Sequence, residues 1–254
     1  MIIKDQLSRI VRLDQMPKKI VSLVPSHTEL LADLSDSKYI IGRTKFCIHP
    51  SELKKSTILV GGTKNLHFDR IRELNPDLIF ANKEENNQED IELLEKQFPV
   101  YVSDIKTLND SYQFIQEIAQ IFNRPFEAET IIQQTQQSIA QQVQKKRQKA
   151  VYLIWKKPYM SIGNDTYIHD VMDELGFDNA FANESRYPET SIEIIKSLEP
   201  DIILLSSEPY PFNISDMNEL YEHFPNTDIQ LVNGEFFSWY GSRIPKLDSI
   251  KILE

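Results

Sequence analysis

The sequence predicts an α/β protein made of two related lobes. Three observations carry that prediction: short apolar runs alternate with helical patterns, a helix–Pro-Asp–strand segment occurs twice, and a long helical pattern without Gly or Pro lies between the two copies. Apolar residues at consecutive positions suit strands buried on both faces of a parallel sheet. Strands alternating with helices argue for the α/β class.

In order, the strand-like runs are 20–24, 39–42, 78–81 and 100–102 in the first half, then 150–155, 202–205 and 229–232 in the second. Helical patterns cover 26–34, 68–74, 88–97 and 110–122. Ser26-x-x-Glu29 reads as a capping box opening the first of them. Pro125 suits a first helical position, and the pattern it opens runs through residue 148. Ala128, Ile132, Thr135, Ile139 and Val143 form its single apolar stripe. Lys145, Lys146 and Arg147 fall at its expected C-terminal end, where cations complement the helix dipole. The repeat aligns IRELNPDLI, from Ile71, with IKSLEPDII, from Ile195, and a second match sets KIVSLV against KAVYLI. The expected organisation is an N-terminal lobe over 1–123, a connecting helix over 124–148, and a C-terminal lobe over 149–254.

Composition narrows the function. Twenty-eight Lys and Arg against 38 Asp and Glu leave a net charge of −10, which argues against nucleic acid, whose phosphates want a basic face. One cysteine, Cys47, excludes an internal disulfide. No GxGxxG or GxxxxGK pattern is present. His27, His49 and His67 lie in or near loops beside Cys47 and Glu29, but no HxxxH or CxxC spacing marks a metal centre. Ser26-His27 and Ser206-Ser207-Glu208 lack a nucleophile elbow. No resident metal, integral cofactor or catalytic residue is expected. The N-terminus shows neither a signal peptide nor a membrane span of about 20 apolar residues. A cytoplasmic location is expected for the chain as written, and a periplasmic or cell-envelope one if an export signal precedes it.

In open α/β sheets, ligands bind beyond the carboxyl ends of the strands. There the sequence concentrates Trp155, Tyr159, Tyr187, Tyr210, Phe212, Phe236, Phe237, Trp239 and Tyr240, a set suited to the apolar wall of a cleft for a large flat or cyclic ligand. Arg43, Lys45, Lys64, Lys83, Lys156, Lys157, Arg186 and Arg243 also gather in these loops. They suit an anionic group on the ligand.

PKKIVSLVPSHTELL, VGGTKN, LNPDLIFANKEEN, WKKPYMSIGNDTYIHDVMDELG, LEPDIILLSSEP and GEFFSWYGSR follow one another along the chain. In this series the sequence resembles the class III solute-binding proteins, the helical-backbone receptors for vitamin B12 and ferric siderophores, and it looks most similar to the cobalamin-binding branch. The resemblance implies a ligand cleft between two lobes and delivery of the ligand, a cobalamin-like corrinoid or a ferric chelate, to an ABC-type permease by a monomer. It implies ligand contacts from Pro25, Ser26, His27, Thr28, Phe46, Cys47, Gly62, Thr63, Lys64, Trp155, Lys156, Tyr159, Arg186, Tyr187, Phe236, Phe237, Trp239 and Tyr240. It also implies permease contacts from Asp69 and Glu193, which the internal repeat independently pairs. Two further readings remain open at this point: a cytosolic corrinoid or tetrapyrrole binder without a permease, and an enzyme on the same scaffold.

Overall fold

The computed structural model describes residues 1–252 and divides the chain into two compact units. One comprises Met1–Ile105, Asn109–Gln133 and Tyr240–Arg243; the other comprises Lys106–Leu108, Gln134–Trp239 and the chain from Ile244 onward.

In the first unit, β1 (Ile2–Lys4) and β2 (Ile10–Arg12) form an antiparallel hairpin. β3 (Ile20–Ser22), α1 (Pro25–Leu34), β4 (Ile40–Arg43), α2 (Leu53–Ser56) and β5 (Ile58–Leu59) follow. Then come α3 (Phe68–Leu74), β6 (Leu78–Asn82), α4 (Gln88–Glu95) and β7 (Val100–Ser103). The strands pair in parallel in the order β5-β4-β3-β6-β7. Ile20, Val21, Leu78, Ile79 and Phe80 have no exposed surface, as consecutive apolar runs require in a sheet covered on both faces.

Helix α5 (Leu108–Phe122) precedes α6 (Pro125–Gln142), whose residues through Gln133 belong to the first unit and the rest to the second. The helix is shorter than its sequence pattern. After Gln142 the chain is drawn away from the helix by tertiary bonds: Gln144 N–H donates to Leu175 O at 2.9 Å, and Arg147 pairs with Asp173 and Asp178. The Lys145–Arg147 cluster therefore lies beyond the helix.

The second unit contains β8 (Gln148–Leu153), β9 (Tyr159–Met160), α7 (Tyr167–Glu174), β10 (Phe177–Asn179) and β11 (Glu189–Thr190). It continues with α8 (Ile192–Ser197), β12 (Ile202–Ser206), α9 (Ile214–His223), β13 (Asp228–Val232) and α10 (Gly234–Ser238). Its parallel sheet has the order β10-β8-β12-β13, and β9 and β11 form a separate antiparallel pair. Val151, Leu153, Ile195, Ile203, Leu205 and Leu220 form the centre of its core. Burying one such side chain stabilises the fold by about 1.5–3 kcal/mol.

The repeat has a physical basis. β3 pairs with β6 through Ile20 and Leu78, and β8 pairs with β12 through Ala150 and Ile202. In each case the helix before the Pro-Asp ends through a residue with positive φ, Asn75 at 46° and Glu199 at 48°. The following aspartate ties the joint to the neighbouring strand. Asp77 Oδ2 accepts from Lys19 N (3.0 Å) while Asp77 N donates to Lys19 O (2.8 Å). Asp201 Oδ2 accepts from Lys149 N (2.7 Å) while Asp201 N donates to Lys149 O (2.8 Å). Pro-Asp recurs because Pro cannot continue the helix and Asp closes the joint by hydrogen bonds.

Candidate functional site

Strand order locates the crevice of each sheet. In the first unit the chain moves from β3 outward to β4 and β5, then crosses back to β6 and β7, so the loops after β3 and β6 diverge. In the second it reverses between β8 and β12. Ligand crevices in open α/β sheets lie at such reversals.

Beneath the first crevice lies a buried polar floor. Ser22, Asn82 and Ser103 end β3, β6 and β7. Asn82 Nδ2 donates to Ser103 Oγ (2.9 Å), and Asn82 Oδ1 accepts from the N–H groups of Glu84 and Glu85, shaping that loop. Ser103 Oγ lies 3.0 Å from His27 Nε2, and Thr28 Oγ1 donates to Ser22 Oγ (2.8 Å). The His27 ring packs on Phe114 at 4.6 Å and Tyr240 at 5.5 Å. Burial lowers its pKa to about 3, so the imidazole is neutral at pH 7.

Ser26, His27, Thr28 and Tyr240, expected as ligand contacts, are therefore buried supports of the loop. Pro25 is half-buried at the first position of α1. The capping box is also corrected. Val24 is the N-cap, Ser26 lies inside the helix, and Glu29 Oε1 accepts from Arg243 Nη1 at 3.2 Å. Pro25, with φ fixed and no N–H, opens the helix without a side-chain cap. Arg243 belongs to the returning segment Tyr240–Arg243, which Gly241 N–H also ties down by donating to Ser111 Oγ (3.0 Å).

The loop after β4 is shaped by buried Arg43, which donates to Thr44 O (3.1 Å) and Cys47 O (3.3 Å). This turns Cys47 inward, where burial pushes its thiol pKa up, and leaves Phe46 outward at 49% exposure. Cys47 is thus a packing residue. Phe46 lies with Lys45, Gly62, Thr63 and Lys64 around a concavity of about 440 Å³ that His67 and Arg70 also line. His67 and Arg70 were not among the expected ligand contacts. In residues 67–71, HFDRI, the sequence marks His67 as a weak metal-ligand candidate and Asp69 as a helix-borne carboxylate, while the cation Arg70 beside them is the signal for this wall of the concavity.

In the second unit, Trp155 is 40% exposed and meets Tyr210 edge to face at 5.9 Å. Tyr210 in turn meets Phe212 at 4.7 Å. Tyr159 and Tyr187 are half-buried, and Arg186 places its guanidinium 5.5 Å from the Tyr187 ring centre. Lys156 differs from expectation. Burial opposes its charge, but hydrogen bonds from its ammonium to Asp216 and Glu219, each 2.7 Å, outweigh that and raise its pKa. It anchors the loop and is already neutralised. Phe236 and Phe237 are buried, the latter against Tyr152 at 5.0 Å. Trp239 is only 7% exposed and donates Nε1–H to Glu208 Oε1 at 2.9 Å. These three rings fill the core beside α10 because apolar rings so close to the sheet gain more from packing than from solvent.

Asp69 and Glu193 occupy the same helical position, the second residue of α3 and of α8. The Asp69 side chain is 90% exposed and pairs with Arg72 at 2.7 Å. Glu193 is exposed, and a hydrogen bond with the Ser191 side chain holds its pKa below the usual carboxylate range. Among the described residues, no three His, Cys, Asp or Glu side chains converge as a metal centre. Among the same residues, no helix is long and apolar enough to cross a membrane.

Two α/β units, each with a crevice at the reversal of a parallel sheet, define the architecture of a two-lobed solute-binding protein. The chain belongs to the periplasmic binding protein family, whose model matches residues 20–229 and so reaches through both units. A vitamin B12-binding protein of Pectobacterium carotovorum subsp. carotovorum is 24% identical over 237 residues, covering 90% of this chain and 85% of that protein. An uncharacterized ABC transporter substrate-binding lipoprotein, YvrC of Bacillus subtilis, is 24% identical over 214 residues, with 80% and 68% covered. Among solved structures, a possible iron-binding periplasmic solute-binding protein from Staphylococcus epidermidis superposes with a TM-score of 0.76 at 26% identity, covering 91% of this chain and 96% of that one. The petrobactin-binding protein YclQ from Bacillus subtilis gives a TM-score of 0.82 at 18% identity, with 96% and 93% covered. The family is one of binding proteins, and the enzyme reading is not favoured.

Proposed function

We propose that this solute-binding protein delivers a cobalamin-like corrinoid or a ferric chelate to an ABC-type permease. The observation that carries the reading is a family match running through both units. Relatives named for vitamin B12, iron and petrobactin support the ligand class. The ligand contacts come from loops at the carboxyl ends of the parallel strands. Exposed Phe46 and Trp155, with Tyr159 and Tyr187, supply the apolar contacts, while Thr63, Lys64 and Arg186 supply polar ones. Asp69 and Glu193 engage the permease, and the protein acts as a monomer at the cell envelope.

Calorimetric titration with cyanocobalamin, ferric siderophores and haem tests this reading. One ligand bound per chain is expected from one member of that panel. No heat from any member would overturn the ligand class. For docking, charge reversal at Asp69 and Glu193 together is expected to leave the affinity unchanged and to impair ligand uptake in cells. Uptake equal to that of the parent would remove the docking assignment.

A further inference from the structure

Two strands of the first unit present free edges to one concavity. β1 and β2 form a two-stranded sheet, and β7 is the last strand of the parallel sheet. In the hairpin, Leu13 N donates to Met1 O (2.9 Å) and Asp5 N donates to Arg9 O (3.0 Å). Antiparallel ladders bond at alternate residues. With Ile3 opposite Val11, the N–H and C=O groups of Ile10 and Arg12 therefore point away from β1. On β7 the residues that bond to β6 are the odd-numbered ones, since Ile79 N donates to Pro99 O and Lys83 N to Ser103 O, each at 2.9 Å. Val100, Val102 and Asp104 thus turn their backbone groups outward.

The hairpin covers part of the β7 edge and stops short. Val102 N donates to Asp5 Oδ2 (3.3 Å) and Asp104 N donates to Gln6 Oε1 (3.0 Å), so two side chains stand where a neighbouring strand would be. Covering an edge keeps it from pairing with other chains. Val100 lies outside that cover. With Ile10 and Arg12 it lines a concavity of about 410 Å³. Among the described residues, no hydrogen bond takes the outward backbone groups of these three. The charges of the concavity are unequal. Arg9 is paired with Asp5 and Glu95, whereas among the described residues no ion pair holds the exposed Arg12 or Lys96.

We propose that this slot binds an acidic peptide in extended conformation, which adds as a short strand to the free edge of β2 and reaches Val100 on the opposite wall. The open groups of Ile10 and Arg12 are backbone donors and acceptors two residues apart, and another extended backbone satisfies them in register. Arg12 and Lys96, cations without a countercharge in a chain of net charge −10, favour acidic side chains on that strand. Ile10, 56% exposed, and the half-buried Phe98 offer its apolar side chains a surface. The slot shares no residue with the loops proposed to hold the ligand or with Asp69 and Glu193, so it is a separate interaction surface and stands independently of the ligand and permease assignments.

The test is fluorescence anisotropy of the whole chain with a labelled, capped peptide of alternating glutamate and valine, at low and high salt. Two control peptides carry lysine in place of glutamate, or N-methyl groups on alternate backbone nitrogens. The acidic peptide is expected to bind, to weaken as salt rises, and to slow hydrogen exchange at the amides of Ile10, Arg12 and Val100. Both controls are expected to bind about tenfold more weakly or worse. The variant Arg12→Glu/Lys96→Glu changes two exposed side chains, so its melting temperature should match the parent's while its peptide affinity falls by about tenfold or more. Equal binding of the N-methylated peptide would overturn strand addition, and equal binding of the lysine peptide would overturn the selection for acidic side chains. Protection of the same amides by dimerisation, without peptide, would give the slot to a second copy of the chain and overturn the peptide assignment. No binding by any peptide, with exchange unchanged, would overturn the slot itself.

Discussion

The two units use one joint and diverge at the loops. Both place a helix, a left-handed residue, a Pro-Asp and a buried strand in the same order, with the aspartate tied to the neighbouring strand. At the carboxyl ends of the strands they differ in kind. The first unit puts exposed cations around Phe46 and hides a neutral histidine beneath its crevice. The second neutralises Lys156 with two carboxylates and exposes aromatic surface at Trp155. The lesson is that the joints hold the sheets together while the loops are free to specialise, one toward charge and the other toward apolar contact.

The largest expected effect separates the two tryptophans of the second unit. Trp239→Ala removes a buried ring and leaves the Glu208 carboxylate short of a donor, so stability should fall by about 3–5 kcal/mol. Trp155→Ala, at a half-exposed ring, should shift stability by less than about 1 kcal/mol. Denaturant unfolding checks both, and equal losses would erase the distinction between a core ring and a ligand-facing one.

Next comes acid. The folded-state pKa of His27, about 3, lies below the ordinary histidine value near 6.5. The unfolded chain therefore binds the proton first. His27's contribution is complete above about pH 6.5 and is lost as pH falls toward 3, at up to about 1.4 kcal/mol per pH unit. His27→Leu should flatten that slope in a pH series of unfolding curves. An unchanged slope would mean that another group titrates, and that the first crevice does not rest on a neutral histidine.

The joints themselves should differ only in degree. Asp77 accepts from both Lys18 N and Lys19 N, whereas Asp201 accepts from Lys149 N. Asp77→Ala should cost about 1–2 kcal/mol and Asp201→Ala about 1 kcal/mol. A loss at one joint with none at the other would show that the repeat is preserved in sequence but not in energetics.

Much of the scaffold was legible beforehand because its signals are local and periodic. All seven strand runs form strands, and the 68–74 pattern forms α3 over those same residues. The helical pattern through residue 148 overshoots the helix, which ends at Gln142, because Gln and Lys continue a helical pattern on propensity alone and only the contacts of Gln144 and Arg147 end it. Side-chain direction was the harder quantity. A histidine or tryptophan in a strand-end loop can face outward or pack inward, and sequence spacing does not distinguish them. His27 turned inward because Phe114 and Tyr240 cover it, and Tyr240 arrives from a segment far along the chain. The capping-box pattern at Ser26 failed for a similar reason, since Glu29 found Arg243.

Whether the loop after β8 holds the ligand is decided by the calorimetric affinity of Trp155→Ala and Trp155→Phe beside the parent, using whichever panel ligand the parent binds. A loss of about 2 kcal/mol is expected for Trp155→Ala, with most of it recovered in Trp155→Phe, because the contact needs a flat apolar face. Parent affinity in Trp155→Ala, with the fold intact, would contradict the claim that the loop after β8 holds the ligand.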